Sequence, residues 1–422
     1  MDAQELKALE PELAKFMRLF EDCFSERWMR DYAQVFVSGQ LSDLDRKSLE
    51  PIAMRANVPP RSLQEFFSLL QWDHAQARDI VQRIVATEHA GPHSIGLVDE
   101  TSFVKKGTKT PGVQRQWCGH LGKVENCVVT VHLGYVQADF HCLIDGDLYL
   151  PESWANDRER CRRAGIPDDV LYRPKWQIAL ELYDQAVANG VCFEWLTFDE
   201  HYGGKPEFLA GLTQRQQKYV AEVPKSVYGW LTPPRLTTRP LHRRGRRPVR
   251  PRWVAGSAPA RRLDKLLTRH PKLRDQPWTL YRLDDREQGP SVWEVKHVVF
   301  YPQVDGLPGE PQHLIVARHV LRAGDVKYFL SNAPLDSPVS TMLRVALTRH
   351  CVERCFEDEK GELGLDHFEG RTYCGLIRHL TLTQVSYLFL ARATQRRAEK
   401  KPRMDGVPSA QGDLPANQLQ VA

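Results

Sequence analysis

From residue 91 onward the spacing of apolar residues changes period, and no other feature constrains the fold as tightly. Ahead of that point the pattern is helical, as in "LKALEPELAKFMRLFEDCF", where apolar residues recur every three to four positions. Behind it come short β-rich runs, "SIGLVDE", "CVVTVHLGYV" and "DFHCLIDGDLYLP", each bounded by Gly, Pro or Asp. An amphipathic helix follows in "RPKWQIALELYDQAVANG", closed by Gly190. Then come a strand, "CFEWLTFDE", a short helix, "KPEFLAGLTQRQQ", and a strand, "KYVAEVP". Three strands, a helix, a strand, a helix and a strand predict a mixed α/β sheet.

This order divides the 422 residues into five stretches. Residues 1–90 read as an all-helical domain. Two short amphipathic segments flank "ANVPP" there, with Pro60 suited to the first turn of the second, the outline of a helix-turn-helix and a candidate DNA-binding unit. Residues 91–223 form the first part of the α/β sheet, and 224–335 a β-rich insertion containing "SVWEVKHVVFYP" and "HLIVARHV". Residues 336–392 return to helices, which need the sheet to pack on. Residues 393–422 are polar and rich in Pro and Gly, predicting a disordered tail.

A net charge of +5 is mild, but its distribution is not. The segment "RLTTRPLHRRGRRPVRPR", 235–252, holds eight arginines and no acid. A solvated loop is the plain reading; a phosphate-binding arm is the functional one, with Arg243, Arg244, Arg246 and Arg247 as candidate DNA contacts. No apolar run approaches the roughly 18 residues of a membrane span, and the acidic N-terminus does not resemble a signal peptide. Nine irregularly spaced cysteines point to reduced thiols in a cytosol rather than to a zinc site. Lys105, Lys106 and Lys109 could track a DNA backbone or form a solvated turn. No phosphate-loop pattern and no Gly-x-Ser-x-Gly occurs. His120, His132 and His141 lie in or near strands, as hydrogen-bonding residues rather than metal ligands.

Two aspartates end apolar strands alike: Asp99 after "IGLV" and Asp199 after "FEWLTF". Functional groups gather where strands of α/β sheets end. A third carboxylate can come from the helix in "RHCVERCFEDEKGELG". At about 100° per residue, Arg349, Glu353 and Lys360 share one side, and Glu357 lies within about 40° of Glu353, so both glutamates stay open. Asp358, Glu359 and Glu362 point elsewhere and read as solvated. Three converging carboxylates repel unless a cation neutralises them, and oxygen donors suit magnesium or manganese. Two such ions about 3.5 to 4 Å apart suit phosphoryl transfer.

The chain resembles bacterial insertion-sequence transposases of the DDE class, those of the insertion sequence 701 family, related to the insertion sequence 4 type. The resemblance rests on "GLVDETSFVKKGTKTPGVQRQWCGHLGKVENC", "LYLPESWANDRERCRRAGIP", "WLTFDEHYG" and "ERCFEDEKGELGLDHFEGR". It implies an RNase H-like catalytic fold interrupted by a β-rich insertion. Relatives carry Tyr, Arg, Glu and Lys with two, three and six residues between them. Arg349, Glu353 and Lys360 match that spacing, which selects Glu353 as third metal ligand and places Arg349 and Lys360 on DNA; Ala346 stands where the tyrosine would. In some relatives the insertion stacks an aromatic residue on a flipped base, for which Trp293 and Trp278 are candidates here, against a plain core role. The expected activity is metal-dependent cleavage of double-stranded DNA at transposon ends and strand transfer into target DNA. Asp99, Asp199 and Glu353 would hold two Mg2+ or Mn2+ ions, in a homodimer or larger synaptic assembly associated with the bacterial nucleoid. A catalytically inactive DNA-binding regulator and a metal-dependent nuclease without strand transfer are the alternatives.

Overall fold

The computed structural model describes residues 3–238, 251–254, 256–286, 289–322 and 324–400. Five helices open the chain: α1 (Ala3–Met17), α2 (Arg27–Gln40), α3 (Leu49–Arg55), α4 (Pro60–Ser68) and α5 (His74–Glu88). Their ends follow local chemistry. Pro60 occupies the first turn of α4, where its missing N–H costs nothing, and Asp73 caps α5 by accepting the Gln76 N–H at 2.8 Å. The α3–α4 pair buries Ile52, Ala53, Leu63, Phe66 and Phe67.

The sheet begins with β1 (Ile95–Val104), β2 (Gln114–Cys118), β3 (Lys123–Gln137) and β4 (Phe140–Leu148), all antiparallel neighbours through β3. After α6 (Glu152–Ala155), α7 (Arg158–Arg163) and α8 (Lys175–Ala188) comes β5 (Trp195–Phe198). It is followed by α9 (Glu200–Gly203), α10 (Pro206–Gln214) and β6 (Tyr219–Glu222). β5 pairs in parallel with both β1 and β6. The order β4-β3-β1-β5-β6, antiparallel then parallel, is the RNase H-like arrangement. Leu97, Val98, Val131, Leu133, Leu196, Phe198, Val220 and Ala221 are buried at its centre. Continuous runs of this kind suit strands covered on both faces.

The β-rich stretch contains β7 (Tyr228–Trp230), β8 (Leu236–Thr237), β9 (Arg252–Trp253), β10 (Arg261–Arg262), α11 (Leu263–Arg269) and α12 (Pro271–Arg274). It continues through β11 (Thr279–Arg286), β12 (Gly289–Val304), β13 (Leu307–Pro308), β14 (Gln312–His319) and β15 (Val326–Ser331). Its last strand returns to the edge of the first sheet, where β15 pairs antiparallel with β6, Leu330 opposite Ala221. The stretch therefore extends that sheet. β8 and β9 form a short separate ladder at the base of the arginine-rich segment. Arg243, Arg244, Arg246 and Arg247 lie outside the described residues.

Three helices close the chain: α13 (Val339–Thr348), α14 (His350–Gly361) and α15 (Tyr373–Lys400). Because α15 continues to Lys400, the tail expected from residue 393 does not start there; residues 401–422 lie outside the described residues. The run "TQRRAEK" is polar, yet long polar side chains have good helix propensity and extend a helix nucleated by packing. That packing joins the two ends of the chain. The buried Gln40 amide donates to Leu363 O at 3.0 Å and to Thr383 Oγ1 at 2.8 Å, and it accepts from Ser386 Oγ at 2.8 Å. Arg378 donates to the carbonyls of Phe66 and Phe67 at the end of α4. The end of α4 thus packs on α15.

All nine cysteines are free thiols. Among the described residues no helix is long and apolar enough to cross a membrane.

Candidate active site

The parallel pairing of β1 with β5 puts Val98 opposite Phe198, so Asp199, the residue after β5, falls beside Asp99. Asp99 does not end its strand as expected but lies within β1, opposite His132 of β3, because the antiparallel pairing with β3 carries β1 on to Val104. Neighbouring strands lie about 4.8 Å apart, so the two residues stand side by side where β5 stops. Asp99 is nearly buried. Its Oδ1 accepts the Glu100 N–H at 2.7 Å and its Oδ2 accepts from Arg349 Nη1 at 3.2 Å. Burial first, and then the Asp199 charge, push the Asp99 carboxyl up to about 7 against the opposing pull of Arg349. Asp199 caps α9, its Oδ1 accepting the N–H groups of His201 at 3.0 Å and Tyr202 at 3.3 Å. A capping role thus coexists with a place at the strand end.

Another strand also runs out on an acid. β6 finishes at Glu222, which accepts from Lys327 at 2.8 Å and lies 3.9 Å from Arg349 Nε. The sequence reading missed Glu222, although "KYVAEVP" carried the same signal of an apolar run closing on an acid. Close approach of α9 to β6 depends on Gly203, where a Cβ would collide with the Glu222 carbonyl oxygen.

α14 brings the remaining groups from 250 residues away in the chain. Arg349 Nη2 lies 2.8 Å from Glu353 Oε1, so one guanidinium joins Asp99 to Glu353, while the Glu353 side chain stays 54% exposed. Lys360 donates to Ser102 O at 3.3 Å. Asp99, Glu353, Glu357 and Lys360 line one cavity of about 830 Å³, with Trp117 and His120 across it. Asp199 is not among the residues lining it, and among the described residues no three metal-binding side chains stand close enough together to hold an ion. The donor chemistry fits a hard divalent cation, but the Arg349 guanidinium stands between the carboxylates.

Other expectations resolve as follows. Glu359 is not solvated: it is fully buried, with neither carboxylate oxygen hydrogen-bonded among the described residues. It lies seven residues after Val352 and four after Cys355, on the buried seam of α14, a periodicity already present in the sequence. Asp358 is half-buried and accepts from the Tyr387 hydroxyl at 3.2 Å, whereas Glu362 is exposed. His132 is buried, pairs with Thr130 Oγ1 at 2.7 Å, and is pushed down to about 3 by desolvation. Lys105 donates to the carbonyls of Asp366 and Phe368, tying β1 to the segment after α14. Trp293 is buried and bonds to Ser291 Oγ; Trp278 is clamped between Lys296 and Arg318.

Burial of Glu359 has a measurable consequence, because desolvation holds its folded-state pKa well above the ordinary 4.5. Below that value the folded and unfolded chains are both protonated there. As pH rises above it only the unfolded chain releases the proton, so stability falls until Glu359 ionises in the folded state. Urea unfolding of the wild type and Glu359→Gln from pH 4 to 8 should diverge by up to about 1.4 kcal/mol per pH unit, with the variant gaining. A difference that stays flat with pH would show that Glu359 does not carry this proton.

Residues 19–290 match the family described as DDE superfamily endonuclease, and the chain belongs to it. The match includes Asp99 and Asp199 and ends before α14. Among individual proteins, the chain is similar to a probable transposase for insertion sequence element IS701 from Microchaete diplosiphon. The two are 29% identical over 198 residues, 46% of this chain and 49% of the relative. The chain thus spans about half the length of the curated relative it matches.

Proposed function

We propose that this protein is an insertion-sequence transposase that cuts double-stranded DNA at transposon ends and joins the freed ends to target DNA. One observation carries the reading: the parallel pairing of β1 with β5 sets Asp99 beside Asp199, and a single arginine links Asp99 to a glutamate on a distant helix. Asp99, Asp199 and Glu353 would hold two magnesium or manganese ions, whose chemistry is to stabilise the attacking and leaving oxygens at phosphorus. The chain's own residues supply the rest. Asp99 and Asp199 fix two carboxylates on the rigid sheet, while the exposed Glu353 on α14 can move toward them. Lys360, and Arg349 once released from Asp99, would contact the DNA backbone, and the arginine-rich segment would neutralise further phosphates. Water attacks phosphorus at the transposon end and displaces the element's 3′-oxygen as a 3′-hydroxyl, leaving a 5′-phosphate on the flanking DNA. That hydroxyl then attacks phosphorus in the target strand, breaking its P–O3′ bond and releasing the target's 3′-hydroxyl. Joining two ends requires two active sites, hence a dimer or larger assembly.

The test is incubation of the protein with labelled DNA from its own element's ends, a target duplex and magnesium. Cleaved and joined products support the reading. Cleavage without joining reduces it to a nuclease, and binding without cleavage to a regulator.

Arg349 offers a check that does not depend on turnover. Its guanidinium neutralises Asp99 and Glu353 in this structure, and charge-assisted bonds of this type are worth about 1.5–3 kcal/mol. Arg349→Ala should therefore bind manganese about tenfold or more tightly by calorimetry without DNA, while strand cleavage falls. Unchanged manganese affinity would mean that the arginine does not compete for these oxygens.

A further inference from the structure

A second cavity, of about 350 Å³, lies beside the catalytic one. Aromatic residues line it, among them Trp117 of β2, Tyr149 just after β4, Tyr172 in the loop before α8, and Trp176 of α8. Tyr149 and Tyr172 meet edge to face, with ring centroids 6.3 Å apart and planes at 70°. Trp117 is 59% exposed and Tyr172 is 39% exposed, a conspicuous display for rings this large. Nothing in the sheet core requires it.

Two observations point to what would cover those rings. The cavity has a basic rim: Lys205 and His201 are exposed there, and Lys175 reaches the Glu100 carboxylate at 2.6 Å, one residue from Asp99. Tyr202, fully buried, also lines the cavity, and its hydroxyl has no hydrogen-bond partner among the described residues. Buried hydroxyls are normally satisfied, so this one calls for a polar partner from outside the chain. Trp117 lines both cavities, so a strand passing the catalytic carboxylates would meet the aromatic one next. Flat rings, cationic edges and an unmet polar group are the features that receive a nucleobase and its phosphate.

Resting on the reading given above, we propose that this cavity binds one unpaired nucleotide of the DNA strand adjoining the cleavage site. The base stacks against Tyr172 and Trp117, and its phosphate pairs with Lys205. The recognition is of an unstacked base as such, because ring faces stack with every base alike. The site lies on the β2–β4 side of the sheet, away from Trp293 and Trp278 of the insertion.

Fluorescence anisotropy of the full-length protein in calcium tests the assignment, comparing a labelled blunt duplex with the same duplex carrying a four-nucleotide single-stranded extension. The wild type should bind the extended duplex about tenfold more tightly. Tyr172→Ala should bring that preference below twofold, and Tyr172→Phe, which keeps the ring, should retain it. Thymidine 5′-monophosphate at the concentration of the extended duplex should not compete. Equal affinity of the wild type for both DNAs, a preference that survives Tyr172→Ala, or effective competition by the free nucleotide would each overturn the proposal. If the alanine variant fails to fold, loss of tryptophan-fluorescence quenching by the extended duplex in Lys205→Ala decides instead: full quenching there overturns the proposal. The transposase reading fails separately, by absence of magnesium-dependent cleavage in a protein that still prefers the extended DNA.

Discussion

Asp99→Asn is expected to lower magnesium-dependent strand cleavage by about a thousandfold or more, since a metal-held reaction centre contributes several kcal/mol and each 1.36 kcal/mol is a tenfold change in rate. The same variant should not lose stability. Asp99 is buried beside Asp199 with its carboxyl pushed up to about 7 from 3.8, so at pH 8 the folded wild type carries an unfavourable charge there. That cost is absent below about pH 4, where folded and unfolded chains are both protonated. It grows as pH rises toward 7 and is full above it. Asparagine removes the charge and keeps an acceptor for the Glu100 N–H, so its melting temperature at pH 8 should equal or exceed the wild-type value. Asp199→Asn should be equally inactive and equally folded, because asparagine caps a helix as well as aspartate and α9 keeps its first turn. Loss of cleavage accompanied by unfolding in both variants would reduce these aspartates to structural residues.

The second large effect separates Glu353 from Glu357. Both line the cavity that holds Asp99, so position alone does not choose between them. Of the two, Glu353 is the one that shares the Arg349 guanidinium with Asp99, where a common cation would be held. Glu353→Gln is expected to reduce cleavage by about a hundredfold to a thousandfold, and Glu357→Gln by no more than about threefold. Calorimetry with manganese should show the same division, with uptake weakened in Glu353→Gln alone. The reverse pattern would move the third ligand one helical turn along α14.

Much of the scaffold was legible in the residue order. The strand-helix alternation after residue 91 gave the mixed sheet, because apolar periodicity reports directly which face of an element is buried. Asp199, just past β5, could be read for the same reason, whereas Asp99 lies within β1, which pairing with β3 carries on to Val104. Glu222 follows the same rule and was passed over. Glu359 was misread although its spacing from Val352 and Cys355 marks it as buried, because a carboxylate invites the assumption of solvent. The extent of α15 was underestimated, since helix continuation past residue 392 depends on a packed segment upstream.

Residue types and spacing by themselves determined a mixed α/β sheet and the acids that follow its apolar runs, since these depend on local periodicity. Only the tertiary structure decided that Arg349 bridges Asp99 and Glu353, that β15 extends the catalytic sheet through β6, and that an aromatic cavity adjoins the carboxylates. Those relations join residues far apart in the chain. Pairing and packing energies set them, and no local pattern encodes which distant partner completes a hydrogen bond or fills a face.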